Sequence, residues 1–309
     1  MTFSLATTRV DGTATPVLVV NGRHYRISDT APSVLADNAG GGLLAVFERW
    51  AETEPALVEV ADRLTDDPDA APQAPAPNQL DDWLTPLQYP RKVICTGSNY
   101  YDHVTKDGGH TSFTKEDNIP VFFLKPPTTT LVGQGRSVRY PVQSTKFDYE
   151  LELALVISKR GRRIRLEDAD KHIAGYTIGI DLSARDWQRH PQHLVKFDLF
   201  GGKAFDDSCP LGPAIVPARW VDPANLQLQF RVNGELRQNA STADMIWDVS
   251  EQIVRISEHM TLEPGDVIMT GTPAGVGLST GTWLQVGDQI EGQITGLGTL
   301  TVQIVDDFC

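Results

Sequence analysis

Three acidic side chains on two apolar segments are the residues of this sequence best suited to metal chemistry. Glu150 and Glu152 lie in the apolar run 149–157, and Asp181 lies near the end of a second run, 176–182. If the first run is a strand, its side chains alternate between faces, so the two glutamates project together, about 6 to 7 Å apart. Carboxylate oxygens are the hard ligands that Mg²⁺ prefers. The three acids therefore predict a divalent-metal site built from neighbouring strands.

Each of these acids also has a simpler structural interpretation. Two carboxylates at that separation repel by about 3 kcal/mol at an effective dielectric constant of about 20, a cost that a solvent-exposed sheet edge tolerates. Asp181 could instead cap the turn that follows its strand. One feature argues against a solvent-exposed edge. The acidic face of the first strand continues with the apolar residues Ala154 and Val156. That continuation indicates a strand entering the interior, where a cation would offset the repulsion.

Three other residues have sequence surroundings that suit substrate chemistry. Lys203 follows two glycines and precedes an apolar pair, which is unusual for a solvated lysine, and it could meet a substrate carboxylate or carbonyl. His103 follows a strand and a glycine turn and is a candidate general base, although a histidine there could also be a surface or core residue. Thr272 lies in the glycine loop 270–277, whose N–H groups could approach a ligand oxygen.

Two further metal sites and a phosphate loop are disfavoured. His190 and His193 are separated by a proline and lack a nearby acid or cysteine, a poor arrangement for zinc. The three cysteines, Cys95, Cys209 and Cys309, show no CxxC spacing, which argues against a disulfide framework or a cysteine zinc site. The 270–277 loop lacks the Gly-Lys-Ser/Thr of a phosphate loop.

The overall composition excludes some partners. Lys+Arg 27 against Asp+Glu 40 gives a net charge of 27 − 40 = −13, which argues against nucleic-acid binding because that needs a positive surface. No apolar run approaches the roughly 18 to 20 residues of a membrane span, so we expect no membrane partner. The first residues lack a basic segment followed by an apolar one, so a cytoplasmic location is expected.

The chain divides by composition into two predicted domains. Residues 1–85 form a small α+β domain, with a hairpin at Asn21-Gly22, a helix over 43–64 and a Pro/Ala-rich linker over 66–80. Residues 86–309 contain short apolar runs between Gly and Pro, and 242–259 is the clearest helical segment. The predicted fold class is α+β and β-rich, with the larger domain catalytic.

Eight segments, taken in order, resemble the fumarylacetoacetate hydrolase family, and in particular its acylpyruvate hydrolase and 2-hydroxyhepta-2,4-diene-1,7-dioate isomerase-like branch. Each segment alone is weak, but their order along the second domain is specific. The matching segments are 97–103, 123–126, 148–152, 175–186, 202–205, 232–238, 242–245 and 262–277. The resemblance implies a mixed β-roll catalytic domain, usually a homodimer, that holds Mg²⁺ or Mn²⁺ and acts on a small 2-oxo acid.

The resemblance also implies roles for individual residues. Glu150, Glu152 and Asp181 would hold the metal, and His103 would be the base or water activator. The remaining side chains would contact substrate oxygens or lie close to the same cavity; they are Tyr100, Lys125, Arg185, Gln188, Lys203 and Thr272. The implied reaction is hydrolysis of a C–C bond in a 2,4-dioxo acid through the enolate of pyruvate. Decarboxylation or isomerisation of a 2-oxo or hydroxymuconate-type diacid is the alternative, and a non-catalytic binding protein is a third.

One position departs from the family pattern. Many acylpyruvate-hydrolysing relatives have a glutamate three residues after the histidine, and here that residue is Lys106. Asp107, Glu116 and Asp117 are the acids that could replace it. They lie in a polar segment, 106–118, with the composition of a mobile lid. The departure weakens the case for hydrolysis in particular and leaves the metal site unaffected.

Overall fold

A computed structural model describes residues 3–35, 41–77 and 82–307. Within them the strands are β1 Phe3–Val10, β2 Thr13–Val20, β3 Arg23–Arg26, β4 Val93–Gly97, β5 Val121–Lys125, β6 Leu131–Val132, β7 Ser137–Arg139, β8 Phe147–Asp148, β9 Leu151–Ile157, β10 Ile173–Ile180, β11 Ser183–Ala184, β12 Cys209–Pro217, β13 Gln227–Val232, β14 Glu235–Ser241, β15 Val267–Met269, β16 Gln289–Ile294 and β17 Gly298–Val305.

The helices are fewer than the strands, and most of them are short. In the described ranges they are α1 Ile27–Thr30, α2 Pro32–Leu35, α3 Gly42–Glu48, α4 Trp50–Asp66, α5 Arg185–Gln188, α6 Leu199–Lys203, α7 Val249–His259 and α8 Gly277–Thr280. A π-helix covers His103–Asp107, and 3₁₀ turns cover Leu166–His172, Ala218–Trp220 and Thr242–Asp244. None of these helices is long and apolar enough to cross a membrane.

The strands form a ten-stranded sheet, a five-stranded sheet and a two-stranded pair. The large sheet has the order β3-β2-β1-β12-β10-β9-β15-β4-β5, with β6 added to β12; the second has the order β14-β13-β16-β17-β7, and β11 pairs with β8. This mixed, strand-rich architecture confirms the predicted α+β, β-rich class with a small N-terminal α+β part.

The antiparallel strands β9 and β10 lie at the centre of the large sheet, and every residue in both is buried. Alternate side chains of β9 serve two cores. Leu151, Leu153 and Leu155 belong to the larger apolar cluster, and Ala154 and Val156 belong to the second cluster. A strand covered on both faces has this continuous apolar character. The acidic residues at its start therefore also lie in the interior.

The N-terminal residues extend the same sheet, because β1 pairs with β12. The predicted hairpin is present: Asn21 and Gly22 both have positive φ, 49° and 76°, as a tight two-residue turn requires. The helix expected over 43–64 is divided into α3 and α4. The linker expected over 66–80 is largely irregular as far as residue 77, and its last residues lie outside the described ranges.

Helix α7 is shorter than the helical pattern over 242–259 predicted. It begins after a capping box in which the Asp248 side chain accepts from the Glu251 N–H and the Glu251 side chain accepts from the Asp248 N–H. These two bonds satisfy N–H groups that the first turn of a helix leaves free. The preceding residues form a 3₁₀ turn instead.

The five-stranded sheet packs against β9 through aromatic rings. Tyr149, the residue before Glu150, stacks on Phe230 of β13 with ring centroids 4.7 Å apart and planes 15° apart. Both rings are buried in the larger cluster. This contact holds the segment that leads into β9 against the five-stranded sheet.

We expect Phe230→Ala to lower the free energy of unfolding by about 3 to 5 kcal/mol, because it removes a buried ring and leaves a cavity. Urea denaturation followed by circular dichroism measures the change. Leu236→Ala on β14, whose side chain is 42% exposed, is the matched control and should change stability by less than about 0.5 kcal/mol. Equal losses in both variants would contradict this account of the core.

Candidate active site

The three predicted metal ligands meet in the interior. Glu150, Glu152 and Asp181 are 6%, 1% and 1% exposed, and each offers a carboxylate oxygen within 4.8 Å of the others. Sheet pairing brings them together. Glu150 and Glu152 flank the start of β9, Asp181 directly follows β10, and the Asp181 N–H donates to the Glu150 carbonyl oxygen at 2.8 Å. The expected arrangement of two acids on one strand and a third on its neighbour is therefore present.

Two buried lysines and a partly buried arginine compensate these acids. The Lys203 Nζ lies 2.5 Å from Glu150 Oε2 and 2.6 Å from Asp181 Oδ2. Lys125 Nζ lies 2.7 Å from Asp181 Oδ1. Arg185 pairs with Glu150 through Nη2 and with Asp148 through Nε, the latter at 2.7 Å. Within the acidic triad of Glu150, Glu152 and Asp181, two members, Glu150 and Asp181, are thus paired with positive charge, as buried carboxylates require.

The same contacts set the ionisation of the acids. Burial alone would raise the pKa of Glu150, but Arg185 and Lys203 outweigh it and hold that pKa well below its ordinary value. For Glu152, burial and the neighbouring Asp181 and Glu150 charges raise the pKa well above its ordinary value. The pKa of Lys203 is raised, because Asp181 and Glu150 outweigh its loss of solvation. Glu152 is therefore the acid with the least compensated charge.

The donor set fits a divalent cation. All three side chains offer hard oxygen atoms, and a positive group, the Lys203 ammonium, already lies between Glu150 and Asp181. One oxygen of Glu152 accepts the Gly271 N–H at 2.7 Å, which orients this carboxylate. Mg²⁺ or Mn²⁺ prefers such oxygen ligands. Glu150, Glu152 and Asp181 are the residues that would hold it.

Two glycines, Gly202 and Gly271, allow the chain to pack closely around the acidic residues. A Cβ on Gly202 would lie 2.1 Å from Gln188 Cγ, so the turn before Lys203 packs against Gln188 only because residue 202 has no side chain. Gly271 has a φ of +93°, and a Cβ there would lie 2.7 Å from Asn99 Cβ. The glycines noted beside Lys203 and Thr272 in the sequence therefore have a packing role.

His103 has a carboxylate partner, and it is Asp107. The His103 Nδ1 lies 2.7 Å from Asp107 Oδ2, and the Asp107 side chain is only 3% exposed. The backbone explains this choice, because the segment is a π-helix in which the Gly108 N–H donates to the His103 carbonyl oxygen. The wider turn places residue i+4, rather than i+3, next to residue i. Lys106, the departure from the family pattern, therefore leaves the histidine paired with an acid.

A cavity of about 580 Å³ opens beside this group. Seven of the predicted site residues line it: Glu150, Glu152, His103, Arg185, Gln188, Lys203 and Thr272. Two others do not. Lys125 is fully buried behind Asp181 and also donates to the Ser208 carbonyl oxygen at 3.0 Å. Tyr100 is buried, and its hydroxyl has no hydrogen-bond partner. The structure therefore places Lys125 and Tyr100 around the site and not on the cavity surface.

Two of the cavity-lining side chains are already engaged. The Thr272 hydroxyl donates to the Leu151 carbonyl oxygen and accepts from the Gln238 amide, both at 2.8 Å. The side-chain amide oxygen of Gln188, Oε1, accepts from Arg185 Nη1 at 3.4 Å. Thr272 thus ties the glycine loop to the start of β9, and its hydroxyl hydrogen is directed at the protein.

Asp148 is a residue whose importance the sequence reasoning missed. It is fully buried, it pairs with Arg185, and it accepts from the N–H groups of Gly277 at 2.5 Å and Leu278 at 2.9 Å. It therefore fixes both Arg185 and the start of α8. A sequence pattern could have identified it, because Asp148 alternates with Glu150 and Glu152 along an otherwise apolar segment.

Comparison with known proteins identifies the family. Residues 92–305, more than half of the chain, match the family described as Fumarylacetoacetate (FAA) hydrolase C-terminal. The chain belongs to the fumarylacetoacetate hydrolase family. Among curated members, oxaloacetate tautomerase YisK of Bacillus subtilis (strain 168) is 43% identical over 225 residues, which are 71% of each chain.

Solved structures of this family extend the comparison. The Fumarylacetoacetate hydrolase (EaFAH) from psychrophilic Exiguobacterium antarcticum has a TM-score of 0.79 and 36% identity, covering 98% of this chain and 99% of that chain. A fumarylpyruvate hydrolase from Pseudomonas aeruginosa, in complex with Mn²⁺ and pyruvate, has a TM-score of 0.62 and 36% identity, covering 70% and 90%. The chain is therefore similar to family members named for two different reactions.

We expect Asp181→Asn to weaken Mn²⁺ binding by more than about 100-fold, because it removes one of three charged ligands and unbalances Lys203 and Lys125. Titration of the metal-free protein with Mn²⁺, followed by calorimetry, measures the affinity. Asp186→Asn is the matched control, because its carboxylate binds Ser144 and Thr145 instead of the triad. Unchanged Mn²⁺ affinity in Asp181→Asn would show that the triad holds no metal.

Proposed function

We propose that this protein is a metal-dependent enzyme that cleaves a C–C bond of 2,4-dioxo acids by hydrolysis, with Mg²⁺ or Mn²⁺ at Glu150, Glu152 and Asp181. The observation that carries the proposal is the His103–Asp107 pair, whose histidine borders the same cavity as the two glutamates. An acid-paired histidine is a suitable base for activating water.

The ion would act as a Lewis acid toward the 2-oxo acid end of the substrate. The protein's own groups at that end are cationic or polar. Lys203 and Arg185 line the cavity and are held in place by their carboxylate partners. They stabilise negative charge that develops on substrate oxygens without having to reorganise. Gln188 can position the substrate through its amide group.

His103 would carry the proton through the reaction. Its Nδ1 faces Asp107, which leaves Nε2 to accept a proton from water while the hydroxyl adds to the distal carbonyl carbon. The bond between that carbon and the neighbouring CH₂ then breaks, and its electrons pass to the enolate of pyruvate. Return of the proton from His103 to the former CH₂ carbon gives one pyruvate and one carboxylic acid for each water consumed. Asp107 holds the ring orientation and stabilises the charged imidazole.

Keto–enol tautomerisation of oxaloacetate is the second candidate. It is favoured by the names of curated relatives, including the oxaloacetate tautomerase that is 43% identical over 225 residues. The reaction needs proton transfer at the carbon beside the keto group and no water. The same His103–Asp107 pair could perform it, because both reactions pass through an enolate.

Direct assays distinguish the two reactions. The Mn²⁺-loaded protein is given acetylpyruvate, with pyruvate release measured, and separately enol-oxaloacetate, with decay of the enol absorbance measured. Pyruvate release from acetylpyruvate in stoichiometric amount with acetate supports hydrolysis. Enol decay without any cleavage of acetylpyruvate or larger acylpyruvates overturns hydrolysis and establishes the second candidate.

We expect Asp107→Asn to lower kcat by about 100-fold or more, because the amide no longer stabilises the charged histidine. Mn²⁺ affinity should stay unchanged, since Asp107 is not in the triad. Lys106→Ala is the matched control at the adjacent position and should keep near-normal kcat. Equal activities of the Asp107→Asn and Lys106→Ala variants would refute the assigned pair.

A further inference from the structure

The cavity changes character beyond His103. Val104, immediately after the histidine, packs with Trp247 and Phe113 in a separate small apolar cluster. The Phe113 and Trp247 rings meet edge to face with centroids 6.4 Å apart. All three side chains line the cavity. We name them the apolar wall.

The apolar surface continues outward from this wall to the mouth. The further apolar side chains that line the cavity are Ile119, Val121, Phe123, Phe197, Leu199 and Leu278. Several of them are exposed, including Ile119 at 78% and Val121 at 51%. Exposed apolar groups that converge on one cavity indicate a ligand surface. A bound apolar group would remove part of this surface from water.

The volume of the cavity also exceeds what a small acid needs. About 580 Å³ lies within the range of about 300 to 1,000 Å³ that is usual for pockets of drug-sized ligands. A pyruvate-sized group at the triad would leave the apolar wall uncovered.

The charges of the cavity favour one carboxylate over two. Of the described lysines and arginines that line it, Lys203 and Arg185 are already paired with acids of the site. The third, Arg189, is exposed and lies over the Phe197 ring at 5.5 Å. A second substrate carboxylate placed against the apolar wall would therefore lose its hydration without a buried cation as partner.

Resting on the proposed function, we infer that the substrate is a 2,4-dioxo acid whose distal acyl group is uncharged and apolar, with about four to six carbons including its carbonyl. The carboxylate end lies at the triad, the distal carbonyl meets His103, and the acyl chain covers Val104, Phe113 and Trp247. The apolar wall then determines specificity, and the triad supplies the chemistry common to all substrates.

A homologous series tests this inference. The Mn²⁺-loaded protein is assayed with acetyl-, butanoyl- and hexanoylpyruvate and with fumarylpyruvate, a carboxylate-terminated comparison. We expect kcat/KM to rise about fourfold for each methylene buried and fumarylpyruvate to be poorer than hexanoylpyruvate. A flat series, or a preference for fumarylpyruvate, overturns the inference while hydrolysis stands. Failure to cleave any of the four overturns the proposed function itself.

Two variants and a binding measurement make the test specific to the wall. Phe113→Ala should reduce the ratio of kcat/KM for hexanoylpyruvate to that for acetylpyruvate by about tenfold, whereas Val286→Ser, exposed and outside the cavity lining, should leave the ratio unchanged. Calorimetry with 2-oxobutanoate and 2-oxooctanoate gives the same comparison without turnover. Equal affinity for the two acids, or an unchanged ratio in Phe113→Ala, would show that the wall does not bind the chain.

Discussion

Buried charge compensation is the constraint on which the rest of this structure depends. Four buried acids, Asp148, Glu150, Glu152 and Asp181, face three cations, which are the buried Lys125 and Lys203 and the partly buried Arg185. Removing any cation would leave a carboxylate in a low-dielectric interior, where an uncompensated charge is costly. The excess acid is Glu152, whose pKa is raised by burial and by its acidic neighbours. A divalent cation would relieve that excess.

The fold serves this cluster by bringing distant chain segments to the same place. The β9–β10 pairing sets Asp181 beside Glu150. Helix α6 and the glycine loop at Gly271 then close around them, and both approaches need a residue without a side chain. The cavity is consequently closely packed around the triad. The chemistry there depends on packing as much as on the residues that touch the ligand.

The part of the cavity beyond His103 is lined mainly by apolar side chains. Relatives of this chain are named for hydrolysis and for tautomerisation, and both reactions pass through an enolate of a 2-oxo acid. The triad alone therefore does not select between them. Under the proposed function, the apolar surface next to His103 would set the choice of substrate. Members of one family can thus carry different reactions on the same fold.

The sequence by itself predicted the three acids that meet in the interior and the β-rich class. Glu150 and Glu152 share a strand face because strand side chains alternate with a period of two, and continuous apolar runs such as β9 indicate strands buried on both faces. Gly201 and Gly202 beside Lys203 likewise marked a close approach of the backbone. Each of these features depends on neighbours in the chain, and local patterns can predict it.

Tertiary structure decided the rest. The partner of His103 could not be read from the sequence, because whether residue 106 or 107 meets the ring depends on one wider helical turn. Nor could the sequence show that Lys125 lies behind Asp181, or that the Thr272 hydroxyl is bound to Leu151. The apolar wall joins residues 104, 113 and 247. Such long-range contacts are set by how sheets and loops pack, and no short-range pattern records them.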